Sequence, residues 1–135
     1  MKQHGYIILS IFLGGALGTL FRYLINLQVA TWIFPMGTLI ENLVGSFLLG
    51  ILTGYILHAQ FPPILKEGLG VGFCGGFTTM STLAADTFFL AEQSNIGTVS
   101  VYLSVSLFGG IFLAFVGMAL STAFVLHKKK AGDVQ

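Results

Sequence analysis

Four long apolar runs decide what this sequence can become: Tyr6 to Leu27, Thr38 to Leu57, Ile64 to Leu90 and Gly97 to Leu126. A bilayer core of ~30 Å takes roughly 20 apolar residues per helical crossing, so each run suffices for one crossing. Short connections join them and leave no room for a soluble enzymatic domain. Hydrophobic residues make up 55% of the 135, charged residues 8%, and mean hydropathy is +0.90. Soluble domains carry about 25% charged residues; here 6 basic and 5 acidic side chains cannot cover a water-facing surface. The expectation is an all-α membrane protein, one domain over residues 1–135 with transmembrane helices at about 6–27, 38–57, 64–90 and 97–126. A net charge of +1 excludes an electrostatic nucleic-acid binder. The single cysteine, Cys74, excludes an intrachain disulfide and a Cys-rich metal site. The first run follows Lys2 as a secretory signal would, but it exceeds a signal's apolar stretch of about 7–15 residues and further spans follow. It is read as a mature helix.

All the connections are short, so the distribution of basic residues sets the orientation. With four crossings, both termini and the loop between the second and third runs share one side. That side holds Lys2, Lys66, Lys128, Lys129 and Lys130, leaving Arg22 as the sixth basic residue, inside the end of the first run. The expected location is the cell membrane, multi-pass, with both ends cytoplasmic. Tyr6, Tyr23, Trp32 and Tyr55 suit interfacial belts; Tyr102 suits either a belt or a polar pathway.

Eighteen glycines in so apolar a chain need a reason. Helices in lipid associate through close packing of small residues, and Gly14, Gly15, Gly18, Gly50, Gly54, Gly110 and Gly117 fall at spacings that suit it. Gly75 and Gly76 differ, because they open Cys74-Gly75-Gly76-Phe77-Thr78-Thr79-Met80-Ser81-Thr82 in the middle of the third run. This segment makes a poor continuous helix. Non-helical backbone at membrane depth survives only buried in protein or lining an aqueous cavity, and broken helices expose groups that bind ions. The competing reading is a helix merely bent by hydroxyls bonding back to their own turn. Asn42 is interhelical glue or a functional donor. Arg22 faces a partner or a water path, or snorkels to the interface. Glu41 completes a capping box with Thr38, or carries a proton or faces a pore. Asp86 is read as a membrane-embedded partner for a cation or hydroxyl. No nucleophile–base pair, phosphate loop or paired catalytic carboxylates appear, so an enzyme is not expected.

The motifs then become specific. Gly14-Gly15-Ala16-Leu17-Gly18-Thr19-Leu20-Phe21-Arg22-Tyr23 resembles the opening of the small bacterial fluoride channels, the Fluc family. Gly37-Thr38-Leu39-Ile40-Glu41-Asn42 and Gly45-Ser46-Phe47-Leu48-Leu49-Gly50 resemble that family's second helix. Gly72-Phe73-Cys74-Gly75-Gly76-Phe77-Thr78-Thr79 resembles its helix-three break, and Tyr102, Ser106, Gly110 and Gly117 fall at matching intervals in helix four. The resemblance runs along essentially the whole chain. It implies a dimer of two oppositely oriented four-helix subunits with two fluoride pores near their interface. It also implies a structural Na⁺ at the dimer centre, held by backbone carbonyls of Gly75 and Thr78. Asn42 would be the pore asparagine, Ser81 and Thr82 a hydroxyl track, Tyr102 and Ser106 further pore residues, and Arg22 a basic residue near the vestibule. One departure matters. The family pattern after the break is TTFSTF, whose phenylalanines bind fluoride through electropositive ring edges; Met80 and Leu83 stand at those positions and offer no ring quadrupole.

The leading expectation is therefore a fluoride-channel subunit that exports toxic fluoride passively, with fluoride and membrane lipid as its small partners. The charge bias and the missing phenylalanines favour pairing with an oppositely oriented homologous subunit, a heterodimer over a homodimer. Two alternatives are a small proton-coupled cation or multidrug exporter, for which Glu41 would be the carboxylate, and a non-conducting structural subunit.

Overall fold

The computed structural model describes residues 2–29 and 34–132, and everything described is helical or connects helices. Trp32, expected in an interfacial belt, lies outside the described residues. Helix α1 runs Lys2–Val29 and α2 runs Met36–His58. Next come α3 over residues 63–77 and α4 over Met80–Gln93, separated by Thr78 and Thr79. Helix α5 covers residues 96–132. Among the described residues α1, α2 and α5 are each long and apolar enough to cross a membrane. The third apolar run is the one divided into two shorter helices. Large side chains such as Phe12, Phe88, Phe108, Phe112, Phe115 and Phe124 point outward. A water-soluble chain does not expose so much apolar surface; a lipid-embedded one does.

Two of the helices carry π-helical stretches, Gly68–Cys74 within α3 and Val105–Gly109 within α5. Such stretches shift the facing of a helix and occur often at functional sites. Here the first meets α1 and the second ends at Gly110, beside Ser46.

Packing follows the glycines. Helix α3 lies along α1, and α2 lies along the later part of α5. A Cβ on Gly14 would land on the Gly68 carbonyl oxygen, and one on Gly18 on the Phe73 carbonyl oxygen. From the other side, a Cβ on Gly72 would come 2.7 Å from the Ile11 carbonyl and one on Gly76 2.5 Å from that of Gly15. On the second pair, Gly50 and Gly54 meet the carbonyls of Ala114 and Met118, and Gly117 meets that of Phe47. Backbone against backbone is the contact small residues permit in lipid. Overpacking a tight contact costs about 1–3 kcal/mol. Gly18→Val is therefore expected to lower the thermal midpoint of the detergent-purified protein by roughly 5–10 °C. Gly5→Ala, where an added Cβ meets nothing within 4 Å, should leave it unchanged.

One local expectation needs correction, and another is located more closely. Within the segment 74–82 expected to break, Gly75 and Gly76 themselves stay helical: Gly75 has φ −66° and ψ −35°, and helical backbone continues to Phe77. The interruption comes at Thr78 and Thr79, whose ψ values are 156° and 124°. Gly76 serves the α1 contact, and the break has a different cause, the Asn42 side chain. The capping box is also absent. Helix α2 starts at Met36 behind Pro35, with no side-chain cap, so Thr38 and Glu41 lie inside its first two turns, both buried. Proline presets the backbone at a helix start, which moves the beginning ahead of Thr38.

Candidate functional site

The break is built by exchange of hydrogen bonds between α2 and the α3–α4 junction. In a continuous helix the Thr79 N–H would close on the Gly75 carbonyl. Instead it donates to Asn42 Oδ1 at 2.8 Å, while Asn42 Nδ2 donates to the Thr79 carbonyl at 2.9 Å. The amide side chain thus imitates a strand partner and satisfies backbone groups that lipid cannot. Each amide nitrogen carries two hydrogens, so one Asn42 donor is still available.

The Thr79 hydroxyl is the second organiser. As the N-cap of α4 it accepts from the Thr82 N–H at 3.2 Å, the capping geometry that threonine favours. It also lies 3.2 Å from Ser81 Oγ and 3.0 Å from Thr82 Oγ1. Three hydroxyls therefore cluster immediately after the break. On the other side, Thr78 Oγ1 donates to the Cys74 carbonyl at 2.9 Å, closing the end of α3.

An open cleft of about 620 Å³ runs past this junction. Of the sequence-derived candidates it brings together Asn42, Gly75, Thr78, Met80, Leu83 and Ser106, with Thr79 and Ser46 among them. Ser106 is 7% exposed and its Oγ has no hydrogen-bond partner among the described residues. The remaining candidates lie elsewhere. Ser81 and Thr82 connect to the cleft through Thr79, Ser81 exposed and Thr82 half-buried. Tyr102 is fully buried, stacks edge-on against Phe34 with ring centres 5.6 Å apart, and donates to Asp86 Oδ2 at 3.0 Å. Arg22 sits half-buried on α1, outside the cleft. Glu41, completely buried, does not line the cleft, and among the described residues neither carboxylate oxygen has a hydrogen-bond partner. Ser46 was not singled out by its chemistry, although it follows Asn42 by four residues and so shares its helix face; that spacing was the available signal.

A multi-pass helical membrane protein with one helix broken against an asparagine, opening on a largely apolar cleft that carries the hydroxyl residues Ser46, Thr78, Thr79 and Ser106, belongs to the class that handles small ions or polar solutes. The comparisons narrow this. The family model for CrcB-like protein, Camphor Resistance (CrcB), matches residues 9–118, and the chain belongs to that family. It is 48% identical over 130 residues to "Fluoride-specific ion channel FluC 2" of Halalkalibacterium halodurans, covering 96% of each chain. It is 46% identical over 109 residues to "Fluoride-specific ion channel FluC 2" of Bacillus subtilis, covering 81% of this chain and 82% of that one. With "Fluoride-specific ion channel FluC 1" of Bacillus anthracis it shares 39% identity over 137 residues, covering 98% of each.

Proposed function

We propose that this chain is one subunit of a fluoride-specific ion channel that lets fluoride leave the cell passively. The observation that carries the reading is the hydrogen-bonded break at Thr78–Thr79 opening on a cleft, in a chain 48% identical over 130 residues to a fluoride-specific ion channel. In this reading α3 and α4 together make the third of four crossings. At 1.5 Å per residue, segments 63–77 and Met80–Gln93 supply roughly 40 Å of helix, enough for a core of ~30 Å. Both ends lie in the cytoplasm, and a second, oppositely oriented subunit closes the open cleft. Numbered names, FluC 1 and FluC 2, occur among the relatives and accord with two distinct subunits.

Fluoride is small and strongly hydrated. A pore must replace its water with hydrogen-bond donors that hold it weakly enough to release it. The free Asn42 N–H and the unpartnered Ser106 hydroxyl supply such donors in the cleft. Thr79, Ser81 and Thr82 continue the hydroxyls along α4, and Tyr102 and Arg22 lie further from the break. Met80 and Leu83 line the cleft where the family carries phenylalanines, so the partner must provide aromatic edges. An exporter that passes protons through a carboxylate needs that group in an aqueous path, and Glu41 is buried away from the cleft. The test is fluoride efflux from liposomes carrying this chain with a candidate partner chain. Loss of efflux on omitting either chain supports the reading; organic-cation transport without fluoride efflux overturns it.

A structural Na⁺ fits the junction. The Thr79 N–H is turned to Asn42 and the Thr82 N–H to the Thr79 hydroxyl, so the carbonyls of Gly75 and Thr78 lose their usual helical partners. Hard cations are bound by such oxygens. These two carbonyls would hold the ion, which supplies positive charge at the centre of the assembly. Replacing Na⁺ by a large organic cation is then expected to lower the thermal midpoint of the purified assembly. Thr78→Ser should keep that Na⁺ response, and Thr78→Pro should abolish it by removing the N–H that closes on Cys74.

A further inference from the structure

Glu41 is the group the proposed pore leaves unused. It is 0% exposed within its own chain, and among the described residues neither carboxylate oxygen has a hydrogen-bond partner. A buried charge without a partner is costly, more so in a membrane. Among the described residues, charged or titratable groups near enough to interact with Glu41 stand on three different helices: Arg22 on α1, Asp86 on α4 and Tyr102 on α5. Tyr102 already donates its hydroxyl to Asp86. Asp86 is acidic like Glu41, and cannot balance it.

Helix register singles out Arg22. Helices α1 and α2 meet near their connection, where a Cβ on Gly37 would land on Asn26 Oδ1 and touch Val29. One turn away from that contact on each helix stand Arg22, four residues before Asn26, and Glu41, four residues after Gly37. Residues four apart share a helix face, and antiparallel neighbours keep step away from their connection, so Arg22 and Glu41 come level. Adjacent residues differ by about 100° around a helix. Glu41 thus lies on α2 between Gly37, which meets α1, and Gly45, which meets Thr78, while Asn42 bonds to the break itself.

We propose that Arg22 and Glu41 form a buried cation–anion couple that ties α1 to α2, and that Glu41 tunes how strongly an anion is held at Asn42. Glu41 is then a positioning and field-setting residue rather than a pore contact. The flux part of this rests on the fluoride-channel reading; the coupling of the two side chains does not.

The experiment compares wild type, Arg22→Gln, Arg22→Lys, Glu41→Gln and the double variant Arg22→Gln/Glu41→Gln in the purified conducting assembly. Thermal unfolding and the fluoride concentration giving half-maximal efflux are both measured. Removing Arg22 strands Glu41, so Arg22→Gln is expected to lower the midpoint by roughly 10 °C. Arg22→Lys keeps the charge and stays near wild type, and the double variant recovers more than half of the loss. Glu41→Gln lowers the half-maximal fluoride concentration on the order of tenfold, because a negative charge beside Asn42 is gone. If Arg22→Gln does not fold, recovery in the double variant supports the couple and failure of both overturns it. Additive midpoint changes, or a Glu41→Gln protein identical to wild type in both readouts, overturn it as well. A wild-type assembly that never conducts fluoride defeats the channel reading alone, and the midpoints still judge the couple.

Discussion

Asn42→Asp is expected to cut fluoride flux by at least a factor of about 100 in the assembly that conducts. The substitution removes both amide donors and places a carboxylate in their position. Two unit charges ~4 Å apart at an effective dielectric of ~20 repel by about 4 kcal/mol, roughly a thousandfold in rate. The structural consequence is separable. The aspartate can still accept from the Thr79 N–H, but it cannot donate to the Thr79 carbonyl, which Asn42 reaches at 2.9 Å. One lost hydrogen bond amounts to about 1 kcal/mol, so the melting point should fall by only a few degrees. Asn42→Ala reverses the pattern. It removes both bonds at the break without adding charge, and is expected to destabilise more and repel fluoride less. Efflux from liposomes together with thermal unfolding of the two variants makes the check. Unchanged flux in Asn42→Asp would remove the residue from the pore and leave it only its role at the break.

The apolar runs of the sequence located the helices well because lipid is an unforgiving solvent: lengths and apolar content are set by the bilayer, not by subtle packing. The expected spans 6–27, 38–57 and 97–126 lie inside α1, α2 and α5. Detail within them was harder to read. The break was anticipated within residues 74–82, but the sequence did not say at which residue, since glycines and hydroxyl residues there are all poor helix formers. In the structure Gly76 meets the α1 backbone, and the interruption is imposed at Thr79 by a side chain thirty-seven residues earlier. Local propensity contains no trace of that partner. Glu41 shows the same failure in another form. Thr38 and Glu41 match a capping pattern by spacing alone, yet Pro35 starts the helix earlier and both side chains are buried inside it. The π-helical stretches Gly68–Cys74 and Val105–Gly109 were not anticipated either.

The second large effect concerns orientation. This chain expressed alone is expected to insert one way only, with both ends in the cytoplasm, and to give little fluoride efflux until an oppositely oriented partner is supplied. A homodimer of opposed subunits needs one polypeptide to insert both ways, which near-balanced basic residues would allow. Here Lys2, Lys66, Lys128, Lys129 and Lys130 fall on one side of the expected topology and at most Arg22 on the other. Each basic residue near the surface contributes about 1 kcal/mol of attraction to an anionic leaflet, so an excess of several kcal/mol is expected to favour one orientation. The cleft points the same way. Met80 is 77% exposed and lines it with Leu83, so the positions that lack aromatic rings lie in the cleft that the proposed second subunit would close. A partner that keeps both phenylalanines would supply ring edges across that seam, leaving one pore active and the other degenerate. Restoring the rings with Met80→Phe and Leu83→Phe should then raise flux through the paired assembly by rescuing the degenerate pore. It should not rescue the lone chain, whose orientation is unchanged. Accessibility mapping of the termini and efflux from liposomes separate the cases: mixed orientations with robust flux from this chain alone would overturn the heterodimer.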